Sequence, residues 1–197
     1  MKVLYIHGMR GGEDSRIPAI LAGKFDVCIR TYDFDPEIAH RQIALWVEEF
    51  RPDVVIGESL GATHALAVEG VPVLLVSPAL NVGKLFSRLA WAAKIPGVKP
   101  LLEKKYAPRS EKRQKVRFEY ELLRKWEHYR DIALATGHTE IHAFFGKRDS
   151  YRRSGVVSIK TYSEKFGDRY TVYDGTHYME EEYIESLLVP AILNYKP

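Results

Sequence analysis

Three residues of this chain have the types and settings of a nucleophile, an orienting acid and a base. Ser59 is the centre of Gly57-Glu58-Ser59-Leu60-Gly61, directly after the apolar run Val54-Val55-Ile56 and directly before the helix-like Ala62-Thr63-His64-Ala65-Leu66-Ala67. A strand that reverses into a helix within about five residues strains its central residue and crowds the neighbouring turns, so only small residues fit at the flanks. Such an elbow lifts the serine hydroxyl clear of the sheet edge, where a base can take its proton. It also leaves the following amide, that of Leu60, pointing at a bound acyl oxygen. An elbow serine predicts an acid and then a histidine downstream. Asp149 follows the strand-like Ile141-His142-Ala143-Phe144-Phe145 in the loop Gly146-Lys147-Arg148-Asp149. His177 follows the strand-like Arg169-Tyr170-Thr171-Val172-Tyr173, in a loop that Gly175 frees to aim the imidazole. The three placements predict one triad for acyl transfer. A second oxyanion donor is expected from the loop His7-Gly8-Met9-Arg10-Gly11-Gly12 after the strand-like Lys2-Val3-Leu4-Tyr5-Ile6, and the Met9 amide is the candidate, paired with that of Leu60. His7 is expected to brace this loop by hydrogen bonds, because His177 already fills the role of base.

Taken together, Ile6-His7-Gly8, the Ser59 block, Gly146-Lys147-Arg148-Asp149 and Gly175-Thr176-His177 resemble the α/β-hydrolase superfamily over nearly the whole chain. Within it the chain is similar to the compact bacterial esterases of the YqiA type, which are equally short and begin with a strand leading straight to a single His-Gly. The resemblance implies a serine hydrolase that needs no cofactor.

Positioning these loops requires a sheet. Apolar strand-like runs alternate with helical patterns, which predicts βαβ units and a mainly parallel sheet of about six strands flanked by helices. Because the first strand starts at Lys2, the antiparallel hairpin that opens larger members of the superfamily is expected to be missing. Ile43, Trp46, Val47 and Phe50 form one buried helical face; Ile184, Leu187, Leu188, Ala191, Ile192 and Tyr195 form another, with a kink expected at Pro190. Between Val73-Leu74-Leu75-Val76 and Ile141 about sixty residues intervene, where a connection is ordinarily far shorter. Residues 82–136 are therefore expected to form a helical cap within a single domain spanning 1–197. Its aromatics Phe86, Trp91, Phe118 and Trp126 either wall an acyl pocket or pack the cap onto the sheet.

Composition narrows the function classes. The chain has 197 residues, 46% of them hydrophobic, enough for one domain with a sizeable core. Its net charge is only +3, and within and just after the run Arg109-Ser110-Glu111-Lys112-Arg113-Gln114-Lys115-Val116-Arg117 the acidic Glu111, Glu119, Glu121 and Glu127 interleave with basic residues, as on a solvated helix laced with i,i+4 pairs. No nucleic-acid partner is expected. Arg148, Arg152 and Arg153 bracket Asp149 and are expected to face water. His40 and His64 lie on helices without a partner at metal-ligand spacing, as exposed or capped imidazoles, and Gly11-Gly12 lacks the Gly-Lys-Ser/Thr ending of a phosphate loop. No metal is expected. The single cysteine, Cys28, is expected to be a buried, reduced thiol, and no apolar run reaches the ~18–20 residues of a membrane span. The whole predicts a cytoplasmic serine hydrolase, without membrane attachment, acting on a small carboxylic ester or thioester. An aminopeptidase or other hydrolase on the same scaffold, or a binding protein that keeps the fold without turnover, are the alternatives.

Overall fold

The computed structural model describes residues 1–195; the last two residues of the expected domain lie outside it. Six parallel strands make one sheet: β1 (Lys2–Ile6), β2 (Asp26–Ile29), β3 (Val54–Glu58), β4 (Val73–Val76), β5 (Ile141–Gly146) and β6 (Tyr170–Tyr173), in the order β2-β1-β3-β4-β5-β6. The alternation of side chains along a strand sorts the apolar residues onto two faces. Leu4, Ile6, Val55, Leu75, Ala143 and Phe145 point to one core, whereas Val3, Tyr5, Val54, Ile56, Leu74 and Phe144 point to the other. Both faces are buried, so the strands read as continuous apolar runs rather than as alternating ones.

On the first face lie α2 (Pro36–Phe50), α3 (Gly61–Ala65), α4 (Val82–Leu89), α6 (Tyr120–Ala135) and α7 (Ile159–Phe166), while α1 (Arg16–Leu21) and the terminal helix cover the second. Helix α2 begins where the Asp35 side chain accepts the Glu37 amide and Pro36 presets the first turn, and it ends at Arg51 in the left-handed conformation. The expected kink at Pro190 takes a particular form. A π-helical turn, Ile184–Leu188, separates α8 (Glu181–Tyr183) from α9 (Val189–Leu193). A proline ring cannot pack against the carbonyl four residues back in a regular helix, and the wider turn relieves that clash. Cys28 is half-buried on β2 rather than enclosed, because β2 is the edge strand; its thiol is still pushed up by burial.

Between β4 and β5 lie α4, a 3-10 turn Ala90–Lys94, α5 (Val98–Lys105) and α6. The charged run 109–117 is not a helix. It is an irregular strap laid across the loop after β1: Gly12 and Arg113 form an antiparallel bridge, Gln114 N–H donates to the Gly11 carbonyl at 2.8 Å, and Glu13 N–H donates to that of Lys112 at 3.3 Å. Two of its charges pair with the body of the protein, Arg113 with Asp14 and Arg117 with Asp33, instead of along a helix face. Gly12 explains itself here, since a Cβ at that position would overlap the Lys112 carbonyl.

Candidate active site

The order of the sheet places the site. β2 pairs with one side of β1 and β3 with the other, so the loops leaving β1 and β3 diverge and open a crevice at the carboxyl ends of the strands. Ser59 follows β3 at that crevice. Its backbone has φ of 51°, in the left-handed region that an L-residue adopts only under constraint. The constraint comes from both sides. Ser59 N–H donates to the Val76 carbonyl at 2.9 Å, and its own carbonyl receives the Ala79 N–H at 3.0 Å. The flanking glycines allow the approach: a Cβ on Gly57 would stand 2.6 Å from that of Ala65, and one on Gly61 would overlap the Ile6 carbonyl.

His177 and Asp149 arrive from β6 and β5. The two loops are tied together, with Lys147 N–H bonded to the Tyr173 carbonyl at 2.8 Å and Arg148 N–H to that of Gly175 at 2.9 Å. His177 Nδ1 is 2.8 Å from Asp149 Oδ2, and His177 Nε2 is 2.9 Å from Ser59 Oγ. Asp149 is 3% exposed, and its other oxygen, Oδ1, accepts the Tyr151 amide at 2.8 Å. That carboxylate therefore fixes the Nδ1–H tautomer, which leaves the Nε2 lone pair facing the serine hydroxyl. The three residues singled out in the sequence are thus joined in one chain of hydrogen bonds through His177.

Met9 and Leu60 both line the cavity in front of Ser59, and among the described residues neither amide N–H has a hydrogen-bond acceptor. His7 is wholly buried below them. Its Nδ1 donates to the Gly8 carbonyl at 2.8 Å, its ring stacks on Tyr32 at 4.3 Å, and the Tyr32 hydroxyl donates to the His7 carbonyl at 2.7 Å. The ring braces the loop as expected, and burial pushes its pKa down to about 4. His64 differs from expectation. It is buried among Tyr32 and Trp126 rather than exposed or capped, and burial pushes its pKa down to about 3. His40 is half-buried on α2, 6.3 Å from the ring of Tyr129. Among the described residues no group of histidine, cysteine, aspartate and glutamate is placed to hold a metal ion.

The cavity has a volume of about 460 Å³, within the usual range for a small ligand. None of the four cap aromatics lines it. Phe86 and Trp126 pack with Phe34, Phe118 packs on Tyr106, and Trp91 is 61% exposed. The helices α4 and α6 cover the sheet face, so their aromatics belong to the core. The apolar walls come instead from Met9, Ile17, Leu60, Val82 and Val156, with the tyrosines 106, 151 and 178 at the sides. Tyr151 stands 4.5 Å from the His177 ring, carried there by the turn that Asp149 caps. Four arginines complete the lining, at positions 10, 16, 109 and 113. Arg148, Arg152 and Arg153 lie elsewhere, around a separate surface depression behind Asp149. Sequence spacing carried no signal for the arginines of the strap, because only the strap's path brings them over the cavity.

A parallel six-stranded sheet in this strand order, covered by helices on both faces, defines a class of fold, and solved structures share it. No protein-family model matches the chain, and no curated protein matches its sequence. In shape it matches a monoacylglycerol lipase from Paleococcus ferrophilus, with a TM-score of 0.66 over 99% of this chain and 95% of that one at 15% identity. It matches metagenome-derived lipolytic enzymes described as LipS and LipT, with a TM-score of 0.64 over 98% and 93% of the two chains at 14% identity. A thioesterase domain from the curacin biosynthetic pathway superposes with a TM-score of 0.58 over 98% and 90% at 17% identity. The chain has the α/β-hydrolase fold. Among the described residues no helix is long and apolar enough to cross a membrane.

Proposed function

We propose that the protein is a serine hydrolase that cleaves a small carboxylic ester or thioester through an acyl-enzyme on Ser59. The observation that carries this reading is the continuous relay from Asp149 Oδ2 to His177 Nδ1 at 2.8 Å and from His177 Nε2 to Ser59 Oγ at 2.9 Å, opening on a cavity. As Ser59 Oγ attacks the carbonyl carbon, Nε2 takes the hydroxyl proton and the imidazolium is held by the Asp149 carboxylate. The carbonyl oxygen becomes an oxyanion, and the two amides without acceptors, those of Met9 and Leu60, are its donors. Collapse of the tetrahedral intermediate expels the alcohol or thiol, which receives the proton from Nε2. Water then enters, gives its proton to the same nitrogen and attacks the acyl carbon, and collapse of the second tetrahedral intermediate returns that proton from Nε2 to Ser59 Oγ as the acid is released. Solved relatives in shape that are described as lipolytic and as a thioesterase agree with this chemistry.

Covalent labelling tests the reading. A fluorophosphonate probe is expected to react with the folded protein, and peptide mapping is expected to place the adduct on Ser59. An adduct on a different serine, or none on protein with an intact melting transition, removes Ser59 as the nucleophile.

A further inference from the structure

The cavity is far more positive than the protein around it. The chain as a whole has a net charge of only +3, yet four arginines line this one cavity against a single carboxylate, Glu58, which already accepts the Tyr5 hydroxyl at 2.7 Å. Arg113 is paired, with Asp14 at 2.9 Å. Arg10, Arg16 and Arg109 have no ion-pair partner among the described residues. Arg16 is held by the carbonyls of Tyr178 and Met179, beside His177. Arg10 directly follows Met9 in a left-handed conformation with φ of 64°. Its guanidinium lies 5.7 Å from the centre of the Tyr106 ring and donates one long bond, 3.4 Å, to the Ala107 carbonyl, while its buried Nε has no acceptor. Arg109 makes no polar contact with a side chain or carbonyl among the described residues.

Guanidinium groups bind carboxylates and phosphates through paired, charge-assisted hydrogen bonds. A neutral acyl pocket has no use for uncompensated cations, and a buried Nε without an acceptor costs stability unless a ligand supplies one. The strap builds this arrangement: Gly12, bare of a Cβ, lets residues 112–114 cross the loop after β1, and the strap brings Arg109 and Arg113 into the lining of the cavity in front of Ser59. We infer that the substrate is an anionic ester or thioester, carrying a carboxylate or phosphate that Arg10 and Arg109 recognise while Ser59 attacks its acyl carbon. This inference rests on the hydrolase reading and adds the substrate class to it.

Two matched pairs test it and separate the sources of the anion. For an acyl-side carboxylate, 4-nitrophenyl hydrogen glutarate is compared with its methyl ester. For a phosphate in the leaving group, butyryl-coenzyme A is compared with S-butyryl-N-acetylcysteamine. In one pair kcat/KM for the anionic member is expected to exceed that for the neutral member at least tenfold, through a lower KM. The advantage is expected to shrink as salt rises from 50 to 500 mM, because exposed charge pairs are screened. Arg109→Glu is expected to bring the ratio to one or below, Arg10→Gln to reduce it, and Arg109→Lys to keep only part of it, because an ammonium keeps the charge but not the paired hydrogen bonds, with melting transitions showing that each variant is folded. Ratios below threefold in both pairs, with Ser59 labelled and the neutral members turned over, overturn the anion site alone. A preference that survives in both Arg109→Glu and Arg10→Gln overturns it equally. If Ser59 is unlabelled and no member of either pair is hydrolysed, the hydrolase reading fails and the anion site falls with it.

Discussion

Replacing Asp149 by Asn tests the division of labour within the relay, and the structure sets its outcome. One carboxylate oxygen of Asp149 accepts the Tyr151 amide at 2.8 Å and the other faces His177 Nδ1 at 2.8 Å. An asparagine has one acceptor and one donor. Because the Tyr151 N–H is a fixed donor, the amide oxygen must stay on that side and the NH₂ must turn toward His177. The imidazole can meet it only by presenting a bare Nδ1, which moves its proton to Nε2 and points that proton at Ser59. The ring is then no longer a base toward the serine. In a comparable triad this substitution lowers turnover by ~10^4-fold, equivalent to about 5.4 kcal/mol on the barrier. The effect on folding is expected to be smaller, about 1–3 kcal/mol, since shape and both contacts survive in weakened form. Steady-state kinetics on an ester that the parent turns over, beside urea unfolding of both proteins, separates the two effects. Turnover within tenfold of the parent refutes the argument and indicates that another carboxylate orients His177, with Asp174 the next to replace.

Ser59→Ala is expected to remove up to ~10^6-fold of turnover while the melting temperature changes little, because the elbow is held by backbone contacts; more than a tenth of the activity remaining assigns the chemistry elsewhere. Gly12→Ala drives a methyl into the Lys112 carbonyl and is expected to cost about 1–3 kcal/mol as the strap lifts, with fluorophosphonate labelling of Ser59 retained; unchanged stability by urea unfolding shows that the strap is not tightly seated. Burial holds His7 down to about 4 and His64 down to about 3, so both stay neutral in the folded protein at pH 5 while the unfolded chain protonates them near pH 6.5. Stability is therefore unaffected by these rings above pH 7 and falls on acidification below pH 6.5, by about 2 kcal/mol per imidazole at pH 5. His64→Leu is expected to remove roughly half of that acid limb in urea titrations between pH 5 and 7, and an identical limb in the variant refutes the assignment.

The local signals in the sequence were strong wherever one short segment does one job. The runs that became β1, β3, β4 and β5 are apolar throughout because both faces of the sheet are covered, and the glycines at 57 and 61 mark a turn that no side chain would fit. Since an elbow serine demands an acid and a histidine after later strands, Asp149 and His177 were legible from loop position alone. Their meeting at 2.8 Å, and that of His177 with Ser59 at 2.9 Å, required the strand order, which puts β5 and β6 side by side beyond β4. Apart from Met9 and Leu60, the lining of the cavity in front of Ser59 was not legible. Helical spacing identifies Phe86, Phe118 and Trp126 as apolar-face residues but does not say what that face meets, and here it meets other core residues of the first sheet face. The charged run 109–117 fits a solvated helix by composition, yet its conformation is decided by partners about a hundred residues away in sequence, Gly11, Gly12 and Asp14. Short-range pattern determines what a segment can bury; only the packing of distant segments decides which charges end up lining the cavity in front of Ser59.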